Sequence, residues 1–157
     1  METIIVAEKR LAYKTVKRRK VEVETDGPVD EPIKAMYLFD DLLRDEPHES
    51  LYCLALDSAG NWLGCYRAAD GTINRASVYT RKLLSFLLLD TNAASIILCH
   101  NHPGGQTEFS REDVHLTQSL QESLKPLDIQ ILDHLVCVTP NRPTDLKWTS
   151  MRQEGLL

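Results

Sequence analysis

The chain predicts an α/β fold in which a central sheet is flanked by helices. Three observations lead there. Residues 94–99, Ala-Ser-Ile-Ile-Leu-Cys, are a short apolar run with β-branched members, the pattern of a buried strand. Residues 30–44 and 79–90 carry apolar side chains at mostly helical spacing. Strand-like and helix-like segments are mixed along the chain instead of being separated into blocks, with no internal repeat and no low-complexity linker.

Taken in order, Ile4-Ile5-Val6 and Val21-Glu22-Val23 suggest one or two N-terminal strands, followed by a turn at Asp26-Gly27-Pro28. The helix over 30–44 uses Ile33, Met36, Tyr37, Phe39, Leu42 and Leu43, and Pro47 marks its end. Residues 51–57 and 62–68 pattern as a hairpin around Ser58-Ala59-Gly60-Asn61, with another turn at Asp70-Gly71. The helix over 79–90, with Leu83, Leu84, Phe86, Leu87 and Leu88, feeds the strand over 94–99. Pro103-Gly104-Gly105 then forces a turn, because proline restricts its predecessor and glycine tolerates positive φ. Ser110 is the N-cap of a further helix, with Glu112 and Asp113 in its first turn and an apolar stripe of Val114, Thr117, Leu120 and Leu124. Ile129-Gln130-Ile131-Leu132 and Leu135-Val136-Cys137-Val138 are strand-like, with Asp133 and His134 between them.

At 157 residues the chain fits one domain, 1–157, able to bury a core without disulfides or a structural metal. Within it, 1–48 supply N-terminal strands and a helix, and 49–157 the region of the site described below. Cys53, Cys65, Cys99 and Cys137 have no Cys-x-x-Cys spacing and are expected to be buried thiols of a reducing cytoplasm. There is no basic segment leading into an apolar core and no apolar run of about eighteen residues, so neither a signal peptide nor a membrane span is expected. The net charge of −5 argues against a dedicated duplex-binding surface, which needs Lys and Arg to neutralise phosphates. Lys9, Arg10 and the basic run over 14–20, interleaved with Tyr13, are the local exception. A solvated strand face is the commoner meaning of such a run, and a nucleic-acid or acidic-protein contact the rarer one.

The chemistry concentrates in His100-Asn101-His102-Pro103-Gly104-Gly105, followed by Ser110 and Asp113. Two histidines one residue apart on an extended segment point the same way, so both rings can reach one ion at about 2.0–2.1 Å. Asp113 can supply a third ligand. Three protein ligands with one position left open is the arrangement of a catalytic zinc, and the site therefore reads as hydrolytic. The blander reading makes Ser110 and Asp113 a capping box and the histidines polar loop residues. Ser110 alone favours the cap; the whole constellation favours the metal site, because strand, histidine pair, glycine turn and acid-bearing helix follow one another on rigid elements. His115 lies two residues past Asp113 and is expected at the surface. His134 is open between a hydrogen-bonded near-core group and a support for a ligand.

These residues resemble the RadC family of JAB/MPN-type (JAMM) metalloproteins. The family's motif is a distant glutamate, then His-x-His, seven residues beginning with proline, Ser, two residues and Asp; His100, His102, Pro103, Ser110 and Asp113 match it. The similarity continues through Leu132-Asp133-His134 and the closing Met151-Arg152-Gln153-Glu154-Gly155-Leu156-Leu157, and covers at least 49–157. Where family members commonly carry Pro-Ser-Gly, this chain has Pro103-Gly104-Gly105, which leaves the ligands untouched. The resemblance implies the JAB/MPN, cytidine-deaminase-like fold with a central mixed sheet, and one zinc ion per chain held by His100, His102 and Asp113. It makes Glu49, placed before the apolar strand 51–57, the general base, and Ser110 the residue that stabilises the oxyanion. RadC proteins commonly carry a helix-hairpin-helix region, which residues 1–48 are too short and strand-rich to supply.

The function expected is a zinc-dependent hydrolase of peptide or isopeptide bonds acting on a peptide or protein substrate. The alternative is a RadC-like protein with a binding or scaffold role in DNA repair or mobile-element maintenance, without protease turnover. Nucleic acid is the weakly supported partner, no membrane is expected, and self-association is left open. The string His100-Asn101-His102 does not make an HNH-type nuclease, because such nucleases spread these residues over a ββα unit whereas contiguous strand residues alternate sides.

Overall fold

The apolar run ahead of the histidines folds as the central strand of a five-stranded mixed sheet. In the computed structural model, which describes residues 27–43, 46–73, 78–138 and 147–157, the strands are β1 (Ser50–Leu56), β2 (Trp62–Asp70), β3 (Ser95–His102), β4 (Gln130–Val138) and β5 (Trp148–Ser150). Their order is β2-β1-β3-β4-β5. β1 pairs antiparallel with β2 and with β3, β4 antiparallel with β5, and only β3 and β4 are parallel. Parallel neighbours need a crossover, supplied here by α3 (Arg111–Leu124). The expected N-terminal strands and the basic run over 14–20 lie outside the described residues.

Two apolar layers sandwich the sheet. On one face, α1 (Pro32–Leu43) buries Ala35, Met36, Phe39 and Leu43 against Leu54, Leu56, Ile97, Cys99, Leu135 and Cys137. On the other, Leu83, Phe86 and Leu87 and the α3 residues Leu116, Leu120 and Leu124 pack on Leu51, Cys53, Ile96, Leu98 and Ile131. Each fully buried Leu or Ile contributes about 1.5–3 kcal/mol relative to exposure. The period of two along β3 explains the division, with Ile96 and Leu98 facing α3 and Ile97 and Cys99 facing α1. The α/β fold and mixed sheet expected from the sequence are present, and no helix of the described residues is long and apolar enough to cross a membrane.

Several elements differ from their sequence expectation. The helix expected over 79–90 is α helical only at α2 (Thr80–Ser85) and continues as a π turn over Phe86–Asp90. Thr91 supports that wider turn, its hydroxyl donating to the carbonyls of Phe86 at 3.1 Å and Leu87 at 3.2 Å. Phe86 and Leu87 stay inside, while Leu88, expected on the apolar side, is exposed and Leu89 is 80% exposed. In α1, Tyr37 is 65% exposed instead of joining Met36 and Phe39. On α3 the buried stripe is Asp113, Leu116, Thr117, Leu120 and Leu124, and Val114 is only half-buried. The hairpin turn is closed by Asp57, whose carboxylate accepts from the N–H of Ala59 at 2.8 Å and of Asn61 at 2.9 Å, with Gly60 at φ +83°. Cys53, Cys99 and Cys137 are buried as expected, and Cys65 is half-buried.

Candidate metal centre

β3 runs on through both histidines and ends at His102. By alternation His100 and His102 leave the face that Ile96 and Leu98 occupy, the one covered by α3. The next residues, Pro103 to Gly105, turn the chain, with Gly105 at φ +86°, where a side chain would be strained. The chain then enters α3 at Ser110. This return brings the first turn of α3 against the end of β3.

Ser110 and Asp113 form a complete capping box. The Ser110 hydroxyl accepts from the Asp113 N–H at 3.1 Å, and Asp113 Oδ2 accepts from the Ser110 N–H at 2.7 Å. The cap does not exclude a second use of the same carboxylate. Asp113 Oδ1 lies 3.4 Å from His100 Nε2, and Oδ2 lies 3.7 Å from His102 Nε2. The two Nε2 atoms are 2.9 Å apart. His100, His102 and Asp113 thus offer one ligand atom each, all within 4.8 Å of one another, a group that could hold a metal ion. A tetrahedral ion with bonds of about 2.0–2.1 Å holds its donors roughly 3.3–3.4 Å apart, so the observed separations bracket the required value.

The electrostatics follow from burial and proximity. Burial alone would raise the carboxyl of Asp113, but the two imidazoles and the Ser110 N–H outweigh it and hold the group far below the ordinary carboxylate range. Burial alone would lower His102; hydrogen bonding to Asp113 and to the Gln106 carbonyl, with the charges of Asp113 and Glu49, reverses the sign and raises it. An anionic carboxylate facing two imidazole nitrogens is an arrangement that a cation completes.

Glu49 stands beside this trio. It lies two residues before Leu51, which pairs with His100, so the antiparallel register carries it to the level of His102. Its Oε2 accepts from the Ile73 N–H at 3.1 Å, and its Oε1 is 3.7 Å from His102 Nε2. The segment that bears it is fastened by Asn101, whose Oδ1 accepts from the Ser50 N–H at 2.7 Å and whose Nδ2 donates to the His48 carbonyl at 2.9 Å. Asn101 points away from the histidines, so the three contiguous residues do not converge.

Three polar residues near the site escaped the sequence reading. Asn101 drew attention only through a nuclease string, although period-two alternation on the strand was the signal for its separate role. Helical spacing assigns Thr117 to an apolar stripe, but its hydroxyl donates to the Asp113 carbonyl at 2.8 Å and meets His134 Nδ1 at 2.7 Å. Asp133 binds the C-terminal turn, accepting from the Ser150 hydroxyl at 2.5 Å and from the Arg152 N–H at 3.1 Å. Its neighbour His134 is fully buried, with Nε2 at 2.7 Å from His100 Nδ1. Burial and the neighbouring His100 push His134 well below the ordinary histidine range. His115, expected at the surface, is exposed.

Comparison with known proteins agrees with this geometry. A family model described as a RadC-like JAB domain matches residues 29–156. A UPF0758 protein of Pseudomonas putida (strain W619) is 40% identical over 114 residues, covering 73% of this chain and 50% of that protein. A UPF0758 protein of Pseudomonas fluorescens (strain SBW25) is 43% identical over 114 residues, covering 73% and 48%. One of Pseudomonas syringae pv. tomato is 39% identical over 132 residues, covering 84% and 56%. The chain spans about half the length of the curated relatives it matches.

Proposed function

The chain belongs to the RadC-like JAB domain family, and on that premise we propose that it is a zinc-dependent hydrolase of peptide or isopeptide bonds. The observation that carries this reading is the meeting of His100, His102 and Asp113 within 4.8 Å, with the Glu49 carboxylate 3.7 Å from His102. His100 Nε2, His102 Nε2 and a carboxylate oxygen of Asp113 are the ligands for one zinc ion. Zinc held there would make a water far more acidic, bringing its pKa toward about 7, and would polarise a carbonyl.

The remaining work falls to the chain's own groups. Glu49 Oε2 is anchored by the Ile73 N–H, which leaves Oε1 to take a proton from the attacking water and hand it to the leaving amine. Ser110 uses a lone pair to cap α3 and retains its hydroxyl proton, which it donates to the developing oxyanion. The fit of the donor set to zinc supports the reading: nitrogen and oxygen ligands at tetrahedral spacing, and none of the four cysteines among them.

Elemental analysis of the purified protein, followed by turnover on peptide and isopeptide libraries, tests it. The expected result is about one zinc per chain. Glu49→Gln should keep the zinc and lose about 10²–10⁴-fold in turnover. Zinc bound without cleavage of any amide substrate would transfer support to the binding or scaffold role, and a zinc-free native preparation would defeat both the cofactor and the chemistry.

A further inference from the structure

Each imidazole offered to the metal must present an unprotonated Nε2, so its proton has to sit on Nδ1. The two histidines meet this requirement differently. His102 Nδ1 lies 3.0 Å from the Gln106 carbonyl, an acceptor that fixes the tautomer in one step. His100 Nδ1 faces another histidine, His134 Nε2, at 2.7 Å, and an imidazole nitrogen can donate or accept. What decides the direction lies further along.

The Thr117 hydroxyl has one proton. It sits 2.8 Å from the Asp113 carbonyl one turn back along α3, and a carbonyl only accepts, so that proton is committed there. His134 Nδ1, 2.7 Å from the same hydroxyl oxygen, must then be the donor. With the imidazole proton of His134 on Nδ1, its Nε2 is bare and accepts from His100 Nδ1 at 2.7 Å. His100 Nε2 is thereby left with its lone pair toward Asp113 Oδ1 at 3.4 Å and the equally bare His102 Nε2 at 2.9 Å, facing acceptors that a shared cation would satisfy. The chain of contacts starts at the backbone of Asp113 and returns to its side chain.

The backbone is shaped for this. Ile96 pairs with Ile131, but Ile97 pairs with Asp133, so Leu132 is an extra residue in β4. Strict alternation from Ile131 would send His134 to the α1 face; the extra residue reverses the parity, placing Leu135 and Cys137 on that face and His134 toward α3. Phe109 covers the pair, its ring centroid 5.6 Å from that of His134 and 6.1 Å from that of His100. His100, Thr117 and His134 are each 0% exposed, so water does not compete as an alternative partner.

We propose that Thr117 and His134 are positioning residues that set the proton of His100 on Nδ1 and so prepare its Nε2 as a metal ligand before any metal arrives. The role rests on the zinc reading above, but the tautomer it specifies is a property of the metal-free protein. Long-range ¹H–¹⁵N spectra of the metal-free 157-residue chain, recorded about one and a half units above the ordinary histidine pKa of about 6.5, should show protons on Nδ1 of both His100 and His134. Thr117→Val removes the hydroxyl and should mix the tautomers while weakening zinc binding about 10–100-fold in chelator competition. Thr117→Ser, which keeps the hydroxyl, should restore both. A merely structural role for Thr117 would lower Tm in Thr117→Val and leave the ring spectra unchanged. His100 protonated on Nε2 in the wild-type protein, or unchanged spectra and zinc affinity in Thr117→Val, overturns the proposal. Failure of the wild-type chain to bind zinc would sink the hydrolase reading, while the spectra would still decide the tautomer.

Discussion

His100 and Asn101 are adjacent on β3, both fully buried, and they serve opposite faces of the sheet. On the α3 face, His100 presents a ring nitrogen to Asp113 and His102. On the other, Asn101 ties down the backbone at Ser50 and His48, on either side of Glu49. One strand end therefore does two jobs, presenting the proposed ligands from one face and mooring the segment of the proposed base from the other. Period-two alternation is what allows contiguous residues to divide the work.

The sharpest way to break this comparison is to remove one face at a time. His100→Ala should abolish zinc binding, read by elemental analysis, while the Glu49 segment keeps its Asn101 hydrogen bonds. Leu98→Ala, in the apolar core on the same face as His100, should lower unfolding stability by about 2–5 kcal/mol without changing the zinc stoichiometry. Asn101→Ala should do the reverse of His100→Ala. It leaves the buried Ser50 N–H unpaired, which costs about 1–3 kcal/mol in denaturant unfolding, and it should lower turnover while zinc remains bound. Ser110→Ala should cost about 0.5–2 kcal/mol through the lost cap. If its turnover falls by only the margin of that destabilisation, the hydroxyl has no part in oxyanion stabilisation. Leu89→Ser, on the exposed side of the π turn, sets the baseline and should stay within about 0.5 kcal/mol.

What the sequence disclosed follows the same division. Local patterns carried the α3 face well: an apolar run, alternating histidines, a proline-glycine turn and a capping signal all act over a few residues, and each formed. Asn101 was silent because its partners lie about fifty residues upstream, in a segment with no periodicity of its own. Glu49 had no local signature either, and only the family resemblance singled it out. Thr117 fits an apolar stripe by position, and what distinguishes it is a hydroxyl whose partner belongs to another element. The direction of His134 depends on an extra residue in β4, which alternation alone cannot disclose. The π turn at Phe86–Asp90 depends on Thr91 capturing two carbonyls, a side-chain effect that apolar spacing does not record.

The central claim is that two imidazoles and a carboxylate from the junction of β3 and α3 meet at one cation. X-ray absorption at the zinc edge of the zinc-loaded protein tests it most directly. The account predicts two imidazole nitrogens and oxygen donors at about 2.0–2.1 Å, with the imidazole contribution halved, or the zinc lost, in His102→Ala. A shell of sulfur at about 2.3 Å, or a spectrum indifferent to that substitution, would contradict it.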